Sequence, residues 1–234
     1  KIGDSVKLKV SEQRAEIARH HSATHLLHAA LRNVLGTHIA QAGSSVEANR
    51  LRFDFSHPKA VTAEELTKIE NFVNSAIAES IAAKTEIMDV EDAKNSGAIA
   101  LFGEKYADKV RVLSFGEVSK ELCGGTHVAN LSQIGAFFIT KEGGVSAGVR
   151  RIEAVCSKAA LNLAKAWRGE IEELKTELKS AEPMNAVKKL KAEIKSLKDK
   201  TKQAKGTHAL AVVNVNETKL CVAVIDGGDI KTTI

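Results

Sequence analysis

The chain has 234 residues, 44% hydrophobic and 27% charged, so it holds enough apolar material for a packed core and is not disordered over most of its length. Lys and Arg number 34 against 29 Asp and Glu, giving a formal net charge of +5 that suits a nucleic-acid partner without requiring one. No apolar run approaches the ~18 residues of a membrane span, KIGDSVKLKV lacks the apolar stretch of a signal peptide, and Cys123, Cys156 and Cys221 are too few for a disulfide scaffold, which together predict a cytoplasmic protein.

Lys1 to Val10 alternates, with Val6, Leu8 and Val10 on one face and Ser5, Lys7 and Lys9 on the other, the pattern of a half-buried strand. From about Glu16 to Leu35 the residues Leu27, Leu31 and Val34 recur at helical spacing, and Gly36 supplies the stop. GSSVEANRLRFDF, from Gly43 to Phe55, alternates again and predicts a hairpin. Thr62 and Glu65 have the spacing of a capping box before the stripe Leu66, Ile69, Phe72, Val73, Ala76 and Ile77, so a helix is expected over Ala63 to Ala83. Strands are predicted over Thr85–Val90, Val110–Phe115, Ile134–Thr140 and Val149–Val155. Residues 1–154 therefore read as an α+β sandwich.

The composition changes after Ser157. Trp167, Ile171, Leu174 and Leu178, and then Val187, Leu190, Ile194 and Leu197, step by threes and fours among Lys and Glu, which predicts two amphipathic helices. Pro183 between the stripes favours an antiparallel hairpin over 155–205, with an intermolecular coiled coil as the competing reading. The Lys-rich face, Lys188 to Lys200, could touch a nucleic acid but has the more usual pattern of a solvated surface. Residues 206–234 look like two strands of a small α/β unit that is incomplete. A start at Lys1 without an initiator Met and an end at KTTI predict a piece of a longer chain.

His21 and His25 lie four apart on the first helix, about 40° apart around its axis, so both imidazoles leave one face. Cys123 and His127 stand in ELCGGTH, where two glycines allow the backbone to fold tightly between a thiolate and an imidazole. Three His and one Cys form a plausible tetrahedral zinc set. Taken alone, HxxxH is more often the pattern of hydrogen-bonded structural histidines than of ligands; the Gly-bracketed CxxxH beside it turns the balance toward a metal. His20 points about 100° away from His21, whereas His28 shares its face and could substitute as a ligand or support one from behind. Ser22, Ala23 and Thr24 between the histidines exclude a metalloprotease of the HExxH kind, which needs a glutamate there. A filled four-ligand set usually means a structural zinc, so a catalytic role requires a position that can open.

Three segments together resemble the editing domain of alanyl-tRNA synthetases: HHSATHLLHAALRNVLGTHIAQAGSSVEANRLRFDFSHP, SGAIALFGEKYADKVRVLSFGEVSKELCGGTHV and EGGVSAGVRRIEAV. The likeness runs in order over residues 1–154 with all four ligand positions occupied. It implies a two-layer sandwich of the threonyl/alanyl-tRNA synthetase second additional domain type, followed by a helical linker over 155–205 and the start of a C-terminal domain over 206–234. Similar folds occur in threonyl-tRNA synthetase and in free-standing editing proteins.

The resemblance implies a zinc-dependent hydrolase of tRNA(Ala) mischarged with serine or glycine, within a longer enzyme that ligates alanine to tRNA(Ala) with ATP and that dimerises through its C-terminal domain. A pocket sized for alanine excludes glycine poorly, because a missing methyl is worth only ~1–3 kcal/mol, and it rejects an added hydroxyl poorly too, so a second, hydrolytic site is needed. By the same resemblance Thr24 would hydrogen-bond the serine hydroxyl and Gln41 would line the pocket. From spacing alone, Thr24 is a helix threonine bonded to its own backbone and Gln41 a polar loop or strand residue. EGGVSAGVRR reads either as a flexible loop that brings Arg150 and Arg151 to tRNA phosphates or as a glycine hairpin with a solvated arginine pair. The alternative overall reading is a tRNA-binding or oligomerisation module whose zinc is structural.

Overall fold

The computed structural model describes residues 3–7, 9–100, 106–205, 211–216 and 218–222. The chain falls into two compact units, Lys1–Ala166 and Trp167–Ile234. In the first, the elements follow the order α1 (Arg14–Leu35), β1 (Gln41–Val46), β2 (Leu51–Ser56), α2 (Ala63–Ala78), β3 (Ala83–Asp89), α3 (Val90–Asn95), β4 (Lys109–Phe115), β5 (Ser119–Leu122), a 3-10 turn (Leu131–Ile134), β6 (Phe137–Ser146) and β7 (Val149–Cys156). The helix α4 (Ser157–Glu177) follows, then α5 (Pro183–Lys205), β8 (Ala211–Val215) and β9 (Thr218–Val222).

Two antiparallel sheets build the first unit, one in the order β1-β2-β7-β6 and one in the order β3-β4-β5. The main core is the apolar stripe of α1 (Leu26, Leu27, Ala30, Leu31) and of α2 (Ile69, Val73, Ala76) laid on Phe53, Phe55, Phe137, Ile152 and Ala154 of the larger sheet. Period-two alternation puts the two sides of the smaller sheet to different uses. Val110, Val112 and Leu122 pack with Ala93 of α3 in a separate small core, while Leu113 and Phe115 join the main one. On β5, therefore, Leu122 faces α3, and its neighbours Glu121 and Cys123 face α1.

Thr62 and Glu65 form the expected capping box, each side chain taking the other's backbone N–H. The helix they start is shorter than its pattern suggested: it ends at Ala78, Ser80 adopts φ +56°, and the next residues pair with the 129–131 segment, Ala83 N–H on Ala129 C=O and Leu131 N–H on Ile81 C=O. Along α2, Asn74 donates to Phe137 C=O and accepts from Phe137 N–H, and Glu70 accepts from Ile139 N–H. Side chains thus satisfy backbone groups of β6 on the side where that strand has no neighbour.

The structure bears on three expectations. Residues 3–7 and 9–10 form no strand, and Val6 and Val10 are exposed, because alternation yields a strand only where a partner edge exists; Leu8 lies outside the described residues. Of the two readings of EGGVSAGVRR, the hairpin is the one that forms, with Gly143 and Gly144 in β6, its turn at Ala147–Gly148 and Gly148 at φ +73°. Pro183 opens α5 at its first position, where a missing N–H costs nothing, and the apolar residues of α4 and α5 stay accessible: Trp167, Ile171 and Leu174, then Leu190, Ile194 and Leu197. Spacing specifies which face is apolar and not what covers it. Of the segment 206–234, only the hairpin β8–β9 is described.

Candidate metal centre

The side chains of His21, His25, Cys123 and His127 offer donor atoms that all lie within 4.8 Å of one another. Cys123 Sγ is 3.2 Å from His127 Nε2 and 3.6 Å from His21 Nε2. The His21 and His127 ring centres are 4.2 Å apart, and those of His25 and His127 are 5.0 Å apart. Two ligands come from successive turns of a buried helix and two from the turn after β5, so the cluster joins α1 to the smaller sheet.

The turn 123–127 is held in place by residues that a motif search does not reveal. Arg111 of β4 donates to Cys123 C=O at 2.7 Å and to Gly125 C=O at 2.9 Å. Ser22, on α1 between two ligands, accepts from Val128 N–H at 3.1 Å, and its hydroxyl is 3.2 Å from His127 Nδ1. Gly125 must be glycine for a steric reason: a Cβ there would run into the His21 ring, 2.7 Å from Nδ1. Among the described residues, no acceptor takes the N–H groups of Gly124, Gly125, Thr126 and His127.

The charges are strongly coupled. Burial opposes ionisation of Cys123, but the imidazoles of His127, His21 and His25 outweigh it and bring the thiol down to about 3, so it is a thiolate. Burial likewise opposes a charge on His25, yet Cys123 and Glu121 hold its pKa up, at about 9. Burial also works against Glu121, whose carboxyl is nevertheless brought down to about 2 by His25 and His28. His25 Nδ1 donates to Glu121 at 2.8 Å, and its buried Nε2 meets no partner at hydrogen-bonding geometry.

The donor set fits zinc. Ligands at ~2.0–2.3 Å in a tetrahedron lie about 3.3–3.8 Å apart, close to the two sulfur–nitrogen distances. A buried nitrogen without a partner is what a metal would satisfy.

The remaining histidines separate clearly. His20 is fully buried on the far side of α1, with Nδ1 donating to Glu16 C=O and Nε2 accepting from Cys156 N–H, and burial lowers its pKa. His28 is bonded through Nδ1 to Glu121 at 3.0 Å and is not in the cluster. Thr24 is buried and donates to His20 C=O at 2.8 Å. Gln41 lies on β1 with its amide on Ser44. Arg150 and Arg151, expected near phosphates, each make a two-pronged pair with a carboxylate, Arg150 with Glu142 of β6 and Arg151 with Asp54 of β2.

Beside His21 and Thr126 lies an open cavity of about 490 Å³ walled by Lys9, Val10, Ser11 and Arg14. A second, of about 440 Å³, shares Arg14 and Thr126 and reaches His127 and Arg19. Arg14 is exposed and has no carboxylate partner among the described residues.

Residues 110–153 match the family described as the threonyl and alanyl tRNA synthetase second additional domain. The whole chain is 56% identical over 235 aligned residues to an alanine-tRNA ligase of Sulfurovum sp. (strain NBC37-1), covering 27% of that protein. It is 57% identical to one of Campylobacter jejuni subsp. jejuni serotype O:23/36 (strain 81-176), covering 28%, and 52% identical to one of Helicobacter pylori (strain HPAG1), covering 27%. The chain spans little more than a quarter of the length of these relatives. Identity above one half over the length of the chain, together with the matched domain, means that the chain belongs, as a segment, to the alanine-tRNA ligase family.

Proposed function

We propose that this segment edits: it hydrolyses the ester of tRNA(Ala) mischarged with serine or glycine, inside a longer protein that ligates alanine to tRNA(Ala) with ATP. The observation that carries the reading is the convergence of three imidazoles and a thiolate beside a turn whose four consecutive N–H donors have no acceptor among the described residues. His21, His25, Cys123 and His127 would hold one zinc ion, which when bound supplies Lewis acidity and a point of attachment for the aminoacyl group.

The chain's own groups account for the rest. Water adds to the ester carbonyl, the bond to the ribose oxygen breaks, and the proton ends on that oxygen. The N–H groups of 124–127 would serve as donors to the carbonyl oxygen as it gains negative charge, and fixed donors of that kind stabilise it without reorganising. Thr24, its proton given to His20 C=O, keeps oxygen lone pairs for a serine hydroxyl, and Gln41 would line the pocket. With Arg150 and Arg151 tied to carboxylates, Lys9 and Arg14 on the cavity beside His21 are the better partners for acceptor-end phosphates.

We place the editing domain at 1–154, a helical linker at 155–205 and part of a C-terminal domain at 206–234, in a cytoplasmic protein that dimerises at full length. No described helix is long and apolar enough to cross a membrane.

The test is deacylation of Ser-tRNA(Ala) and Ala-tRNA(Ala) by the wild type and by Cys123→Ala, with fold checked by circular dichroism. Serine-selective hydrolysis that disappears in a folded variant supports editing. No hydrolysis of either substrate by the zinc-loaded wild type favours a tRNA-binding module with a structural metal.

A further inference from the structure

Glu121 is one of the few buried carboxylates of the chain, its side chain 6% exposed, and it touches no substrate cavity beside His21 or His127. Its two oxygens are divided between two imidazoles on successive turns of α1: Oε2 accepts from His25 Nδ1 at 2.8 Å and Oε1 from His28 Nδ1 at 3.0 Å. An ionised carboxylate only accepts, so each Nδ1 must carry its proton, which leaves Nε2 as the one ring nitrogen that can give up its proton to a metal. For His25 this is the nitrogen without a partner, the one left to face Cys123 and His127. His28 has its Nε2 buried without a partner and its ring 5.4 Å from that of Phe53, so it is wedged against the core and fixes the other arm of the carboxylate.

We infer that Glu121 is a positioning residue for the metal, a two-armed clamp that sets the tautomer and ring angle of His25 and is itself braced by His28. The inference rests on the cluster being a zinc site. A merely structural role would also bury and pair the carboxylate, but it would not require His25 to ligate through Nε2 or couple Glu121 to metal affinity in a folded protein.

Two measurements separate these roles. Zinc affinity is read by competition with a chromophoric chelator in the wild type and in Glu121→Gln, each checked for fold by circular dichroism. The amide oxygen can serve only one of the two Nδ1 donors, so a folded Glu121→Gln is expected to bind zinc about 10–100-fold more weakly, the range typical of groups that support a ligand from behind. The second measurement, needed if Glu121→Gln does not fold, is the nitrogen–proton NMR pattern of the zinc-loaded wild type. It is expected to show His25 and His28 both protonated at Nδ1 and His25 bound through Nε2. Wild-type affinity in folded Glu121→Gln, or His25 ligating through Nδ1, overturns the clamp and leaves the zinc site standing. A wild type that binds no zinc at the four-residue cluster overturns both.

Discussion

Replacing Gly125 by alanine puts the smallest side chain into the tightest place in the site. The added carbon would lie 2.7 Å from His21 Nδ1 and inside the ring's van der Waals envelope. His21 is carried by a 22-residue helix whose inner face is packed in the main core, and the turn is tied to Arg111 and Ser22, so neither wall can retreat cheaply. Rotation of the imidazole out of the cluster is the least costly response. A four-ligand zinc site is worth about 10–16 kcal/mol, so losing one ligand forfeits about 3–4 kcal/mol, roughly two to three powers of ten in affinity. His21 is half-exposed, so the metal-free fold should lose little stability. The assay is zinc competition beside thermal unfolding in chelator. Gly125→Ala that keeps wild-type zinc affinity would refute the reasoning, because the contact between Gly125 and His21 would then not set the ligand geometry.

Further outcomes follow from the same structure. Phe53→Ala removes a fully buried ring from the main core and should cost about 3–5 kcal/mol in urea unfolding. Thr62→Ala breaks the capping box of α2 and should cost about 1 kcal/mol, read in the same way. Arg151 beside Asp54 holds that carboxyl below its usual range, so the pair stabilises the fold above the unfolded pKa and the contribution is lost as pH falls through the lower folded value. Stability measured from neutral to acid pH should therefore fall less steeply in Asp54→Asn, which starts from a lower neutral value.

The four cluster residues were legible in the sequence because each pair is local: HxxxH reports a helix face, and CxxxH a turn with two glycines. Their supports were not. Glu121 in SKELC looks like a strand residue on a wet face, and only the packing of β5 against α1 buries it. Arg111 likewise looks like an ordinary strand cation until the 123–125 carbonyls turn toward it. The carboxylate pairing of Arg151 was illegible for the converse reason, since its partner Asp54 lies 97 residues away and nothing local announces it. The first ten residues and the two apolar stripes after Ser157 show the same limit, since a periodic pattern names a face but not its neighbour.

The grip of Asn74 and Glu70 on β6 has a consequence for how this sheet meets other molecules. A bare outer strand offers a ladder of amides to any extended segment that passes, the first step of strand capture and of fibril growth. At Phe137 and Ile139 those amides are already taken, and a visiting segment would have to displace two helix side chains before its first rung could form. The stretch FFIT, the most aggregation-prone of the sheet by composition, is thereby kept out of cross-strand traffic for as long as α2 stays folded.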